Sequence, residues 1–173
     1  YADLEHRVSE RTHELAHANS ELRDQMLVRE RMEQKLKHET LHDALTGLPN
    51  RNHLLGRLGR ALGRYHNDAS HLFAVLFLDL DRFKIVNDSV GHLVGDELLK
   101  EAAKRISTCI REPDLVSRLG GDEFAVVLES IQSQEDVTVV ADRIIRSLSF
   151  PMRIAGKELF TSASIGIAIV DAR

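Results

Sequence analysis

The chain has 173 residues, with 23 Lys and Arg against 27 Asp and Glu, and the resulting formal net charge of −4 argues against a general nucleic-acid surface. Its apolar residues, 43 % of the total, include no run approaching the roughly 18 of a membrane span and no signal-peptide pattern, so no membrane segment is expected in this stretch of chain. The single cysteine, Cys109, gives no disulfide framework and fits a reducing, cytoplasmic setting, where it reads as a small apolar filler in a helix-like stretch.

Residues 1–41 follow a heptad. Tyr1, Val8, Leu15, Leu22, Arg29 and Leu36 fall at one seam position, and Leu4, Arg11, Ala18, Gln25, Met32 and Glu39 at the other. This predicts a long N-terminal helix. It reads either as a marginal parallel coiled coil suited to transmitting a signal and holding a homodimer, or as one amphipathic helix packed on its own domain. His13 and His17 stand four apart, but with no third ligand they read as solvated. The start at Tyr1 suggests a piece of a longer protein. Residues 42–173, about 130 in number, are the size of one domain with its own core.

Pro49-Asn50 opens a helix expected from Arg51 to about Tyr65, with Leu54, Leu55, Leu58 and Leu62 at helical spacing. Leu72 to Leu80 is a nearly unbroken apolar run, the pattern of a buried strand, ending in Asp79-Leu80-Asp81. A short helix from about Arg82 and a longer one from Asp96 to about Ile110 follow. Val116–Leu119 and Phe124–Leu128 then flank Gly120-Gly121-Asp122-Glu123, where a Gly-Gly pair supplies the positive φ angles of a tight hairpin. Glu135 to Leu148 reads as a helix; Phe150–Ala155 and Leu159–Val170 read as strands joined near Gly156. The order βααββαβ, with helices on one face of an antiparallel-containing sheet, is an α+β architecture.

Chemistry concentrates in two acidic tips. Asp122 and Glu123 at a hairpin turn, and Asp79 and Asp81 at a strand end, would form one divalent-cation site if the strands are neighbours, because Mg²⁺ (or Mn²⁺) takes one or two carboxylates plus waters and substrate phosphates. The alternatives are a solvated turn for the first pair and a helix N-cap for the second.

Taken in order, Asp43-Ala44-Leu45-Thr46-Gly47-Leu48-Pro49-Asn50-Arg51, Asp79-Leu80-Asp81-Arg82-Phe83-Lys84, Asn87-Asp88-Ser89-Val90-Gly91-His92, Gly95-Asp96 and Gly120 to Phe124 resemble the GGDEF family, the diguanylate cyclases that condense two GTP molecules into cyclic di-GMP. The resemblance covers about three quarters of the chain and implies a palm-like, nucleotidyl-cyclase fold. It implies Asp79 and Asp122 as metal-binding acids, with the Leu80 carbonyl beside them. Glu123 becomes either a partner of the metals or the base for an attacking 3′-hydroxyl. An acidic pocket binds the polyanion GTP only if metal ions bridge carboxylates to phosphates.

Asn87 and Asp96 match the guanine-recognising pair; on their own they read equally as a turn residue and a helix cap. The N–H groups of Arg82 and Phe83 open a short helix suited to phosphates, with Lys84 nearby as an aid or as a plain surface lysine. Arg111-Glu112-Pro113-Asp114 matches an Arg-x-x-Asp site of product inhibition, with Arg143 as a second arginine; otherwise Arg111 and Asp114 form a local salt bridge. Family members continue past the last strand into a helix whose Lys and Arg contact the triphosphate, whereas this sequence stops at Arg173. The wording of several motifs is similar to cyclase domains that precede an EAL phosphodiesterase domain, where the module binds nucleotide and regulates its neighbour.

Overall fold

The computed structural model describes residues 17, 19–32, 38, 40–68, 70–129 and 131–170. The chain divides into two compact units, Tyr1–Thr40 and Leu41–Arg173. In the first, residues 19–32 are helical with every side chain exposed, Leu22, Met26, Leu27, Val28 and Met32 among them. The seam positions Tyr1, Leu4, Val8, Arg11, Leu15, Ala18, Leu36 and Glu39, together with His13, lie outside the described residues. No helix among the described residues is long and apolar enough to cross a membrane.

The second unit runs α1 (Arg51–Asn67), β1 (Phe73–Leu80), α2 (Phe83–Val90), α3 (His92–Thr108), β2 (Leu115–Gly120), β3 (Glu123–Glu129), α4 (Gln134–Ser149), β4 (Met152–Ile154), β5 (Lys157–Leu159) and β6 (Ala163–Val170). The expected order holds, with a small hairpin inserted before the last strand. Four strands form one antiparallel sheet in the order β2-β3-β1-β6, which places β1 and β3 at its centre. The central strands are the apolar runs, because both of their faces are covered.

Helices lie on both faces, not one. The even residues Ala74, Leu76, Leu78 and Leu80 of β1 join Phe124, Val126 and Leu128 of β3 against Leu98, Ala102 and Ile106 of α3 and Ile144 and Leu148 of α4. On the opposite face α1 lays Leu54 on Ala125 and Val127, and Ala61 on Phe73 and Val75. The leucine stripe of α1 needs an apolar partner, and the odd side of the doubly apolar strands supplies it.

Local chemistry sets the boundaries. Asn50 caps α1, its Oδ1 accepting from the N–H groups of Asn52 at 3.0 Å and His53 at 3.2 Å. Ser133 and Asp136 form a reciprocal capping box at α4. A single residue, Gly91 at φ 87°, joins α2 to α3, so α3 begins at His92 and Asp96 lies inside it rather than capping it. Leu159–Val170 is not one strand. β5 ends at Leu159 and β6 begins at Ala163; just before β6 the Asp81 N–H donates to Ser162 O at 2.9 Å, one pair beyond that of Leu80 with Ala163, and Thr161 Oγ1 donates to the Asp81 carbonyl at 3.2 Å. The β4–β5 turn has positive φ at both Ala155 and Gly156, the backbone of a two-residue primed hairpin.

Candidate functional site

The two acidic tips are on neighbouring strands. Asp79, at the end of β1, is the direct antiparallel partner of Glu123, the first residue of β3, and on its other side of Ser164 in β6. Directly opposed residues point to the same face with Cβ atoms about 5 Å apart. The hairpin turn is centred on Gly121 (φ 53°) and Asp122, with Gly120 (φ 143°) paired to Glu123 and an irregularity in register between Arg118 and Gly120. The turn is thus Gly-Asp, not Gly-Gly: one glycine absorbs the irregularity, and Asp122 sits at the tip. The Asp122 carbonyl accepts from the Leu80 N–H at 3.2 Å, tying tip to strand end.

Burial raises the Asp79 carboxyl above its ordinary value, and the charges of Asp122, Glu123 and Asp81 push it further the same way. Crowded anions at an exposed strand end are what a divalent cation would relieve. Among the described residues no three His, Cys, Asp or Glu side chains are gathered as a self-contained cage. Asp79, Asp122 and Glu123 offer carboxylate oxygens at this strand end, the donor type that Mg²⁺ takes together with waters and phosphates, and Leu80 adjoins them.

Asp81 is not a bare acid at the tip. Its Oδ1 accepts from Ser164 Oγ at 2.7 Å and its Oδ2 from Ser162 Oγ at 2.5 Å, and these two bonds hold its carboxyl below the usual range. Nor does it cap α2, whose N-cap is Arg82 in the left-handed region at φ 59° with no side-chain cap bond. The first N–H groups of α2 are left without such a cap, and the Phe83 side chain is buried, so Phe83 offers main chain only. Lys84 is exposed beside them.

A cleft of about 650 Å³ opens between α1 and the sheet, walled by Arg51, Leu54, Phe77, Asp79, Glu123 and Ser164 among others. Asn87 and Asp96 do not line it. They stand in α2 and α3, both half-buried, and Asn87 Oδ1 is buried without a hydrogen-bond partner. Asn87 is helical, not a turn residue.

Arg111, Asp114 and Arg143 come together around a second cavity of about 460 Å³, with Glu129 and Asp136. Burial raises the Asp114 carboxyl, opposed by the Glu129 N–H, which its Oδ1 accepts at 2.9 Å, and by the Arg111 charge. No ion pair between Arg111 and Asp114 forms; their bond is Asp114 N–H to Arg111 O at 2.8 Å. Arg143 donates to Cys109 O.

Two arrangements escaped the sequence reading. Arg118, 9 % exposed, donates from Nη1 to Asp43 at 2.9 and 3.1 Å and from Nε and Nη2 to the Gly121 carbonyl at 3.0 and 2.7 Å. Burial would raise Asp43, but bonds from Thr46 and Arg118 outweigh it and hold the carboxyl low. The acid-bearing turn is thereby bolted to the loop that precedes α1. Glu129 is likewise paired with both Arg57 and Arg64 of α1. In each ion pair the carboxylate lies more than 60 residues from its arginine; only the Asp43-x-x-Thr46 spacing, typical of a side-chain-capped turn, hinted at the first.

The family model described as "Diguanylate cyclase, GGDEF domain" matches residues 40–173. Diguanylate cyclase TpbB of Pseudomonas aeruginosa is 50 % identical over 135 residues, 78 % of this chain and 31 % of that protein. The bifunctional diguanylate cyclase/cyclic di-GMP phosphodiesterase MucR of the same species is 45 % identical over 139 residues, 80 % of this chain and 20 % of its own. The chain thus spans less than a third of either relative. Among solved structures, the coiled coil and GGDEF domain of DgcB from Caulobacter crescentus, in complex with c-di-GMP, superposes with a TM-score of 0.78 at 25 % identity, covering 91 % of this chain and 81 % of that one.

Proposed function

The chain belongs to the GGDEF family, and from that premise we propose that it acts as a diguanylate cyclase, joining two GTP molecules into cyclic di-GMP across a homodimer. The observation that carries this reading is the direct pairing of Asp79 with Glu123, with Asp122 at the adjoining turn and the uncapped N-terminus of α2 two residues beyond Asp81.

Each domain binds one GTP. The N–H groups of Arg82 and Phe83 at the start of α2 take phosphate oxygens, with Lys84 adding charge. Asn87 is one helical turn, about 6 Å, further along α2. A single nucleotide can therefore lie along the helix, phosphates at its start and base against Asn87 and Asp96. Amide and carboxylate suit a guanine edge, the first donating to O6 or N7 and the second accepting from N1–H and N2–H.

In each of two steps the 3′-hydroxyl of one GTP attacks the α-phosphorus of the other, forming a P–O bond as the bond to pyrophosphate breaks; two pyrophosphates leave. A Mg²⁺ or Mn²⁺ ion, when bound, neutralises charge developing on the phosphoryl oxygens. Asp79, the Leu80 carbonyl, Asp122 and Glu123 hold the charge balance at the strand ends. Glu123, beside them, is the acid available to take the hydroxyl proton. Positioning and charge neutralisation supply most of the catalysis in such transfers.

Arg111, Asp114 and Arg143 bind the product at the second cavity, where arginine forks suit its phosphates and guanine edges. GTP as substrate argues for a cytoplasmic domain. A second reading, a non-catalytic module that binds GTP or cyclic di-GMP and regulates an adjacent EAL phosphodiesterase domain, draws support from the likeness to a relative named only as a cyclic di-GMP phosphodiesterase, PdeR of Escherichia coli, 40 % identical over 139 residues. Incubating the full-length protein with GTP and Mg²⁺ separates them. The cyclase reading expects cyclic di-GMP and pyrophosphate; nucleotide binding without either product favours the regulatory module.

A further inference from the structure

Gly95 sits in the middle of α3 with ordinary helical backbone, outside the set of positive-φ residues. Nothing in its conformation calls for glycine, and a glycine inside a helix is destabilising relative to alanine. Its surroundings give the reason. Gly91 turns the chain so tightly that its N–H donates to Asn87 O at 2.9 Å while its own carbonyl accepts from Gly95 N–H at 3.2 Å. Phe83 and Asn87, one turn apart on the same side of α2, therefore lie directly against Gly95. A Cβ placed on Gly95 would stand 1.8 Å from Asn87 Oδ1 and 2.9 Å from Asn87 Cγ, both closer than any real contact, and 3.4 Å from Phe83 Cζ, an ordinary one.

We propose that Gly95 is a specificity-determining position: its missing side chain is what lets the Asn87 carboxamide stand where it reads a guanine edge. The inference rests on the reading of Asn87 as a base-contacting residue. Asn87 Oδ1 is buried against Gly95 with no hydrogen-bond partner in the protein, which leaves the NH2 side of the amide to donate to the base. A methyl group at Gly95 displaces the whole amide. The phosphate-facing amides of α2 and the acids at the strand ends, which do not depend on this contact, keep their places. Substitution at Gly95 therefore erodes the preference for guanine rather than nucleotide binding as such.

The test is a double-mutant cycle in the full-length protein, with 3′-deoxy-GTP and 3′-deoxy-ATP in Mg²⁺ as probes. Both lack the attacking hydroxyl and can bind without reacting, so calorimetry reads affinity alone. Gly95→Ala and Asn87→Ala are each expected to weaken 3′-deoxy-GTP on the order of tenfold, to leave 3′-deoxy-ATP unchanged, and to show no additional loss when combined, because with Asn87 shortened the methyl meets nothing that must move. The combined variant also relieves the clash, so it reports even if Gly95→Ala alone folds poorly. Wild-type affinity in Gly95→Ala, or a further loss in the combined variant equal to that of Gly95→Ala alone, overturns the inference while leaving Asn87 as a base contact. Wild-type affinity in Asn87→Ala overturns the base-reading role itself, and the inference with it.

Discussion

Asp79 is held by its surroundings in a state that favours protonation, and its metal-free chemistry follows from that. Burial and the neighbouring acids raise its carboxyl, so the folded domain binds this proton more tightly than the unfolded chain. By linkage the metal-free domain gains stability as pH falls through the raised value, and the gain is complete below the ordinary value near 3.8. Asp79→Asn should remove that pH-dependent gain and leave the melting temperature at neutral pH equal or slightly higher. The same change, like Asp122→Asn, should abolish turnover; thermal melts from pH 4 to 8 beside rate assays check both halves. Arg118 is the opposite case, a buried cation whose loss leaves Asp43 with Thr46 alone and frees the Gly121 carbonyl. Arg118→Ala should cost about 3 kcal/mol, as breaking a buried pair does, and lower kcat more than GTP affinity because the Asp122 turn loses its anchor; urea melts and steady-state kinetics read the two effects. The acids were legible in sequence because a carboxylate ending an apolar strand or tipping a turn is locally anomalous. Arg118 and the serine partners of Asp81 were not, since their meaning lies in residues 75 to 83 positions away.

At the scale of elements, β2 joins the two cavities' residues. Arg111 and Asp114 precede its first residue, Leu115, and Gly120 ends it, a separation of about 20 Å along one strand. The proposed product site between Arg111 and Arg143 is continuous through this strand with the turn that carries Asp122, and if product held there opposes GTP alignment, reciprocity requires that GTP alignment oppose product binding equally. Arg111→Ala should weaken cyclic di-GMP binding and relieve inhibition with the initial rate largely kept. Calorimetric titration of cyclic di-GMP into both proteins is the check; equal affinity would remove the site. Periodicity located every helix of the second unit and the strands of its main sheet, because apolar stripes at spacings of 3.6 or 2 record burial directly. It missed two things for physical reasons. The break at residues 160–162 falls where the chain bonds across to Asp81, and the covering of both sheet faces needs the topology, since an all-apolar strand does not say which helix lies on which side.

For the whole molecule, the reaction proposed needs two domains facing each other, and the heptad at residues 1–41 offers the means of holding them. A tethered partner acts at high effective concentration, so the proposed dimerisation through the helix would raise the rate without adding any contact to the site. Removing residues 1–41 should lower the rate per chain at dilute protein and restore it as concentration rises; a rate independent of both would take the helix out of the mechanism. The central claim is narrower: Asp79, Asp122 and Glu123 act together on GTP at the joined ends of β1 and β3. It is tested most directly by the initial rate of cyclic di-GMP formation in the full-length protein over a Mg²⁺ titration, with wild type beside Asp79→Asn and Glu123→Gln. A saturable, Mg²⁺-dependent rate is expected in wild type, with loss of turnover in both variants and their melting curves intact. Near-native turnover in either variant would contradict it.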